Sequence, residues 1–312
     1  MAKKKPKKSN NANKTKKDYK QELVTLVSNS LLLEGKEQSD SFYTLLGKIY
    51  MEEAPEKLYK YCGTDDYVLE SLKNDTIWFS QITNLNDPFE FDLFVDVKSC
   101  AESNAKIGGG LSVVNQMKLE HIIKENLADL KNIFLDGKRL VGVTCFSEVF
   151  DSILMWSHYG QNHSGICIEY DLLGMNEELG YSPVPVLYKN AFPALTRFDL
   201  QNPERSVEEV YMKSMLIKSR DWSYEKEWRV LQDYGACGDA WDEERKGALL
   251  NMITPSAVYL GCNADTDFER EVINVCKEKG ITCYKLEKDE REYKLNRFEG
   301  GHQLNIKVKF RI

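Results

Sequence analysis

The chain has 312 residues, of which 42% are hydrophobic and 11% aromatic, so it can bury the core of one large domain or of two modest ones. No segment approaches the roughly twenty consecutive apolar residues that a membrane-spanning helix needs, and we therefore expect a soluble protein. The formal net charge is −7, and the positive charges are concentrated at one end.

Residues 1–18 form a Lys-rich tail. The first twenty residues contain nine Lys and one acidic residue, so they carry about +8 and leave about −15 for the rest of the chain. Such a polar composition cannot form a core, which predicts a disordered tail. Candidate partners of this polycation are nucleic acid, an anionic membrane surface and an acidic protein; the alternative is a purely solubilising role.

The eight cysteines are scattered and include no CxxC pair, so neither a zinc ribbon nor a dithiol redox motif is predicted. Cys145 and Cys167 lie within apolar runs, which is typical of small buried residues. No apolar run of a secretory signal follows the initial lysines, and this composition favours the cytoplasm.

The spacing of apolar residues predicts an N-terminal helical extension over residues 19–56, followed by an α+β domain over residues 57–312. The domain opens with a short strand, LYKY, and a helix over Asp65–Leu72 that Thr64 or Asp65 caps. A second strand, TIWFS, ends at Ser80, and Asn86, Asp87 and Pro88 form a turn after it.

The remaining elements alternate without an internal repeat. After a Gly-containing loop, an amphipathic helix is predicted within residues 101–137. Next come a strand at LVGVTCFSE, a short helix at ILMWSHYGQNH, strands at GICIEYDL and VPVLYK, and a helix over residues 206–219. An acidic loop at 235–247 precedes the strand AVYLG, a helix over 266–279 ending at Gly280, the strand ITCYKLE and a final strand LNIKVKFRI.

The segment Trp222–Leu231, WSYEKEWRVL, is predicted to be a strand that carries Glu225 and Glu227 on one face. Like charges this close raise each other's pKa and destabilise a strand unless a cation, a ligand or water compensates them. The segment therefore indicates either an exposed edge strand or a polar site on the sheet.

Neither a GxGxxG or P-loop signature nor a nucleophile elbow or HExxH motif occurs in the sequence. His158 and His163 lack a third ligand at a diagnostic spacing, so no zinc site is predicted. Glu225 and Glu227 could instead join Asp87, Glu90 and Asp92 in a site for a hard divalent cation, as in a nuclease.

Five motifs occur in an order that resembles a bacterial family, the domain of unknown function 2971. They are NDPFE, CFSE, MWSHYG, HSGICIEYD and YEKEWR, and the resemblance covers most of residues 57–262. The family's label implies no chemistry.

A more distant similarity is to ADP-ribosyltransferase folds, including those of toxins that modify DNA and RNA. It is carried by the first strand, the LKNDTIWFS segment and the later glutamate strand followed by TPSAVYLG. It implies a single α+β domain of two small mixed or antiparallel sheets with flanking helices, and NAD bound as a substrate in a cleft between the sheets. It also implies a toxin or anti-phage role.

By this resemblance Glu227 is the main catalytic candidate, because a carboxylate beside the nicotinamide ribose stabilises the oxocarbenium charge of glycosidic cleavage. Glu225 would position or deprotonate the acceptor. Lys60 falls where the pattern often has His or Arg, and Lys offers a point charge in place of directed hydrogen bonds. The implied NAD-binding residues are Tyr59, Lys60, Tyr61, Ser80, Asn86, Ser147, His158, Tyr159, His163 and Arg229.

Three functions thus follow from the sequence. The first is an ADP-ribosyltransferase that modifies a macromolecule, either nucleic acid or protein. The second is a metal-dependent nuclease or phosphodiesterase that uses the same carboxylates. The third is a module that binds nucleotides or nucleic acid without catalysis. Lys60 favours this function, because the ADP-ribosyltransferase pattern often has His or Arg at that position.

Overall fold

The structure is a computed structural model that describes residues 18–30, 39–97, 136–195 and 203–299, with scattered residues between 117 and 132. Three predicted features lie outside the described residues: the tail over 1–17, most of the amphipathic helix within 101–137, and the strand LNIKVKFRI over 304–312.

Helices and strands alternate along most of the described chain, and they are numbered here in chain order. The helices are α1 (Tyr19–Ser30), α2 (Ser39–Glu52), α3 (Asp66–Asn74), α4 (Ile153–His158), α5 (Leu172–Leu179), α6 (Pro203–Leu216), α7 (Tyr234–Cys237) and α8 (Thr266–Lys279). The strands are β1 (Lys57–Cys62), β2 (Thr76–Gln81), β3 (Phe94–Val95), β4 (Val141–Ser147), β5 (Ile166–Asp171), β6 (Val184–Pro185), β7 (Leu187–Lys189), β8 (Ala194–Leu195), β9 (Ile217–Ser219), β10 (Glu227–Asp233), β11 (Trp241–Asp242), β12 (Gly247–Asn251), β13 (Ala257–Leu260), β14 (Thr282–Lys288) and β15 (Leu295–Glu299).

The protein is a mixed α+β domain, as predicted, but the expectation of two small sheets is wrong. Eleven strands form one sheet whose main path is β11-β12-β2-β4-β1-β5-β13-β14-β15. Its pairings are antiparallel except for β13 and β14, which are parallel and are connected by α8. Two further pairs, β3 with β8 and β7 with β9, are separate from this sheet.

The large sheet branches at β4, and this branch creates the candidate site. Strand β10 pairs with β4 along its whole length, from Glu227 opposite Ser147 to Asp233 opposite Val141. The other edge of β4 is shared, because β1 pairs with it at Ser147 and β2 pairs with it at Val143 and Gly142. Strands β1 and β2 therefore diverge along the middle of β4 and leave a gap in the sheet.

The two N-terminal helices pack on the sheet. Leu23 and Val24 of α1 and Leu46 of α2 are at most 1% exposed, and they belong to the same hydrophobic cluster as the sheet residues Leu58 and Trp228. Helices α1 and α2 lie within the segment 19–56 that is predicted to be helical, and they contribute to the main core.

Local signals placed several elements correctly. The side chain of Asp265 caps α8 by accepting hydrogen bonds from the backbone N–H groups of Asp267 and Phe268. Gly280 ends this helix at a φ of 69°, in the left-handed region that glycine adopts without strain. Helix α3 begins after Asp65, one of its two predicted caps.

Other predicted bounds are wrong. The helix over 206–219 ends at Leu216, since residues 217–219 form β9 and pair with β7. The segment VPVLYK is divided between β6 and β7, and the acidic loop at 235–247 contains α7 and β11. In the glutamate segment, Arg220–Glu225 forms a 3₁₀ turn and the strand starts only at Glu227.

Lys226 causes this last difference. It adopts a φ of 46° between the 3₁₀ turn and β10, so the alternation of a continuous strand does not apply to Glu225. Trp228 nevertheless points away from Glu227 into the main core, as predicted. Within the described part of the chain, no helix is both long and apolar enough to cross a bilayer.

Candidate functional site

A cleft of about 280 Å³ opens where β1 and β2 diverge. Its walls are mostly apolar, and five of its lining residues are aromatic: Tyr59, Tyr61, Trp78, Phe146 and Tyr159. Charged side chains converge on this apolar space, with Lys60 from β1 and with Glu90, Lys218, Glu225 and Glu227. An apolar cleft with a few converging polar groups is the usual form of a small-molecule site.

The cleft gathers both predicted catalytic residues and most of the predicted binding residues. These are Tyr59, Lys60, Tyr61, Ser80, Asn86, Tyr159, Glu225 and Glu227. They come from β1, β2, the loop after β2, the end of α4, the 3₁₀ turn and β10. Residues distant in sequence therefore share one cavity because all these elements meet around β4.

Four predicted binding residues do not line this cleft. Ser147 is fully buried and donates a hydrogen bond of 2.6 Å to the carbonyl of Glu225. His158 is exposed, and His163 stacks on Trp156 with ring centroids 6.3 Å apart. Burial lowers the pKa of His163, so this ring is neutral at physiological pH.

Arg229, the fourth, lies behind the cleft and is 0% exposed. Its Nε and Nη2 donate to the two carboxylate oxygens of Glu227 at 2.7 and 3.0 Å, and its Nη1 donates to the carbonyl of Met215 at 2.7 Å. It also pairs with Glu90. Arg229 therefore fixes the position of Glu227 from the side away from the cavity.

Lys218 is the central residue of the site, although no role is predicted for it from the sequence. Its Nζ lies 2.9 Å from Glu90, 2.6 Å from Glu225 and 3.2 Å from Glu227. Lys218 and Arg229 together balance two of the three carboxylates, so the cluster carries a net charge of −1 when all three are ionised. The available signal was the alternation of bases and acids in KSRDWSYEKEWR, in which Lys218 and Arg229 flank both glutamates.

The predicted cation site is not assembled among the described residues. Lys218 places its ammonium group between three carboxylates, where a divalent cation would otherwise bind. Asp87 is engaged in its own turn, accepting a hydrogen bond of 2.9 Å from the N–H of Phe89, and Asp92 is exposed. No group of three or more His, Cys, Asp or Glu side chains in the described ranges could hold a metal ion.

The two glutamates have opposite pKa shifts. Burial raises the pKa of Glu225, and the charge of Glu227 adds to this effect. Burial alone would also raise the pKa of Glu227, but Arg229 and Lys218 outweigh it and hold that pKa at about 2. Glu227 is therefore ionised at neutral pH, whereas the environment of Glu225 favours its protonated form.

Tyr159 connects Glu225 to the mouth of the cleft. Its hydroxyl donates to Oε1 of Glu225 at 2.6 Å and accepts a hydrogen bond of 3.2 Å from the side-chain amide of Asn86. Burial and the neighbouring Glu225 raise the pKa of Tyr159, which keeps its hydroxyl protonated as a donor.

Lys60 places a positive charge in the wall that β1 forms. Its Nζ lies 5.7 Å from the centre of the Phe146 ring and 3.4 Å from the carbonyl of Cys145. None of the ion pairs between described residues involves Lys60, in contrast to Lys218. The cleft thus combines a cation without a carboxylate partner and a net negative cluster.

We expect the substitution Glu227→Gln to lower the free energy of unfolding by on the order of 3 kcal/mol at pH 7. The folded-state pKa of Glu227 lies below the value of about 4.3 in an unfolded chain. Its stabilising contribution is therefore complete above pH of about 4.3 and is lost as the pH falls towards 2. Urea unfolding at pH 7 and pH 3 measures this difference.

The matched comparison for Glu227→Gln is the same substitution two positions earlier in the sequence, Glu225→Gln. Because the folded-state pKa of Glu225 is raised, ionisation of this group costs stability as the pH rises through that pKa. Glu225→Gln should thus cost less than Glu227→Gln at pH 7. Equal losses in the two variants, or a Glu227→Gln loss that does not change with pH, would contradict the assigned shifts.

One of three comparisons with known proteins finds a match, and it covers only part of the chain. Residues 155–230 match a family model described as "Protein of unknown function (DUF2971)". The matched segment contains Tyr159, Lys218, Glu225, Glu227 and Arg229, but not β1 or β2. No curated protein and no solved structure matches the chain.

Proposed function

We propose that this chain is an ADP-ribosyltransferase that uses NAD to modify a macromolecular acceptor. One observation carries the proposal: Lys60 and Ser80, on the two diverging strands, share a single cleft with Glu225 and Glu227. Groups that act on one ribose must all be within hydrogen-bond reach of it, and these four line the same 280 Å³.

The proposed reaction breaks the bond between nicotinamide and the ribose of NAD. Nicotinamide leaves with the bonding electron pair, and positive charge develops on the ribosyl carbon. The permanent carboxylate of Glu227 stabilises this charge. A nucleophile of the acceptor then bonds to the ribosyl carbon, and Glu225 takes up the proton that the nucleophile loses.

The opposite pKa shifts of the two glutamates support this division of roles. An electrostatic stabiliser has to stay ionised, which the low pKa of Glu227 ensures. A general base has to be able to accept a proton near neutral pH, which a raised pKa favours at Glu225. Pairs of acids whose environments separate their pKa values are typical of catalytic sites.

The size and walls of the cleft favour the nicotinamide end of NAD. A volume of about 280 Å³ lies at the lower limit for ligand sites, so the cleft holds part of a dinucleotide. Tyr59, Trp78 and Tyr159 offer aromatic surfaces for a flat ring. Lys60 would bind the hydroxyl or carbonyl oxygens of this end as a point charge.

The second candidate is a module that binds a nucleotide and does not cleave it. The ion pairs of Glu227 favour it, because Arg229 and Lys218 already neutralise much of the charge that catalysis would use. The nuclease has less support, since the ammonium group of Lys218 lies among the carboxylates that would have to bind the metal ion. A toxin or defence role, the nucleic-acid partner of the tail and a cytoplasmic location stay predictions.

The test is the release of nicotinamide from labelled NAD, with cell lysate and nucleic acid as acceptors. We expect wild-type protein to release nicotinamide and to label an acceptor, and Glu227→Gln to reduce release by about a hundredfold. Glu225→Gln should reduce acceptor labelling most strongly and change the dependence of the rate on pH. Circular dichroism establishes that each variant is folded.

Glu269→Gln is the matched control. Glu269 accepts a hydrogen bond of 2.6 Å from Lys285, the same length as the bond between Lys218 and Glu225, but neither partner lines the cleft. It should leave nicotinamide release unchanged. NAD binding without release by the wild type would favour the binding module, and nucleic-acid cleavage that requires Mg²⁺ or Mn²⁺ would favour the nuclease.

A further inference from the structure

The side chain of Arg245 lies over two aromatic rings beside the cleft. Its guanidinium carbon lies 4.3 Å from the centre of the Trp78 ring and 4.4 Å from that of Tyr67. Trp78 lines the cleft, and Tyr67 on α3 is 60% exposed. Trp78 therefore contacts the guanidinium group and also lines the cleft, while Arg245 itself is exposed.

The turn between β11 and β12 holds Arg245 in this position. Oδ1 of Asp242 accepts hydrogen bonds from the backbone N–H groups of Glu244 and Arg245 at 2.9 and 2.8 Å. Lys246 then adopts a φ of 54° and returns the chain to β12 at Gly247. A Cβ atom at Gly247 would lie 2.4 Å from the Trp78 ring, so glycine is needed for the ring to lie across β12.

The donors of Arg245 remain available to a ligand. Arg245 is exposed, and no hydrogen bond between described residues uses its side-chain N–H groups, so these donors can bind a ligand. No carboxylate of the described chain forms an ion pair with Arg245. The nearby Glu243 pairs instead with Lys246 at 3.5 Å. A planar guanidinium with free edges matches the paired oxygens of a phosphate.

We propose that Arg245 binds the phosphate of a nucleotide whose ring and ribose occupy the cleft. This inference rests on the proposed function. It assigns a binding residue to the phosphate of NAD, which lies outside the small cleft. Stacking on Trp78 and Tyr67 orients the guanidinium before the ligand arrives, which lowers the entropy cost of binding. Arg245 would then select phosphorylated ligands over the corresponding nucleosides.

Isothermal titration calorimetry with two ligands that differ by one phosphate tests this. Nicotinamide mononucleotide should bind wild-type protein more tightly than nicotinamide riboside. Arg245→Gln should weaken the mononucleotide by about ten- to hundredfold and change the affinity for the riboside less than about twofold. Arg245→Lys should recover only part of the loss, because an ammonium group lacks the bidentate fork.

Lys246→Gln is the matched control, since it removes the same charge from the same turn without the stacked geometry. It should leave the mononucleotide affinity within about twofold. An equal loss for both ligands in Arg245→Gln would mean that Arg245 only supports Trp78, and an unchanged mononucleotide affinity would also overturn the inference.

The two proposals fail in different ways. Wild-type protein that releases nicotinamide from NAD but binds neither ligand overturns this inference alone. Wild-type protein that binds both ligands but releases no nicotinamide from NAD overturns the catalytic proposal alone, and the comparison between the ligands still decides the role of Arg245.

Discussion

Replacing Lys218 with methionine should lower the free energy of unfolding by about 3–5 kcal/mol. The substitution removes the cation that contacts Glu90, Glu225 and Glu227, and Arg229 alone then faces three buried carboxylates. Methionine keeps much of the side-chain volume, so the loss reports uncompensated charge more than a cavity. Urea unfolding at pH 7 measures it.

Protonation and a second substitution should both reduce this loss. The Lys218→Met variant should recover stability as the pH falls, since Glu225 can then be neutral. Adding Glu225→Gln to Lys218→Met should recover part of the loss at pH 7 as well, because it removes one of the unpaired charges.

Lys285→Met is the control for this prediction. Lys285 pairs with Glu269 at 2.6 Å, as closely as Lys218 pairs with Glu225, but both side chains of that pair are at least 20% exposed. An exposed pair of this kind contributes about 1 kcal/mol or less. Similar losses in the two variants would show that the cluster around Lys218 is not a buried network.

Replacing Trp156 with alanine should lower the free energy of unfolding by about 3–5 kcal/mol. Trp156 is 0% exposed, and its ring packs edge-on against Tyr61 with centroids 5.3 Å apart. Its Nε1 donates to the carbonyl of Phe150 at 2.7 Å, which would lose its partner. Urea unfolding gives the change.

The matched control for this substitution is Trp222→Ala. Trp222 is partly exposed on the 3₁₀ turn and contacts Lys218 with its ring, 4.8 Å from the ammonium group. We expect a loss of about 1 kcal/mol. A loss below about 1 kcal/mol in Trp156→Ala would mean that the cleft wall next to Tyr61 does not depend on this ring.

Elements whose ends are specified by adjacent residues could be predicted from the sequence. The Asp265 cap and Gly280 bound α8, and LYKY and TIWFS correspond to β1 and β2. Strand β15 was missed because its short sequence, LNRFE, has no clear alternation. Its turn depends on Asp289, which accepts hydrogen bonds from the backbone of Arg291 and Glu292.

Features that depend on distant pairing could not be predicted. The branch at β4 joins three partners from different parts of the chain, and no local pattern encodes which strands meet there. The helical sequence pattern continues to Lys218 and predicts a helix there. In the structure the backbone is extended from Ile217 onward, because this segment pairs with β7.

Glu225 and Glu227 lie close together, as predicted, but the predicted strand conformation of Glu225 is wrong. Glu225 lies on a turn, yet its carboxylate meets that of Glu227 around Lys218. The short sequence separation brought both acids to one place in either conformation. The residue that compensates their repulsion had to come from another strand, β9.

Lys218 also determines how the buried cluster responds to its surroundings. A divalent ion in its place would exchange with solvent, and its occupancy would follow the ion concentration of the cell. An amine tethered to β9 has a high and constant effective concentration at the three carboxylates. The chain itself therefore supplies the cation of this cluster, and loss of this one ammonium charge would leave only Arg229 to face the three carboxylates.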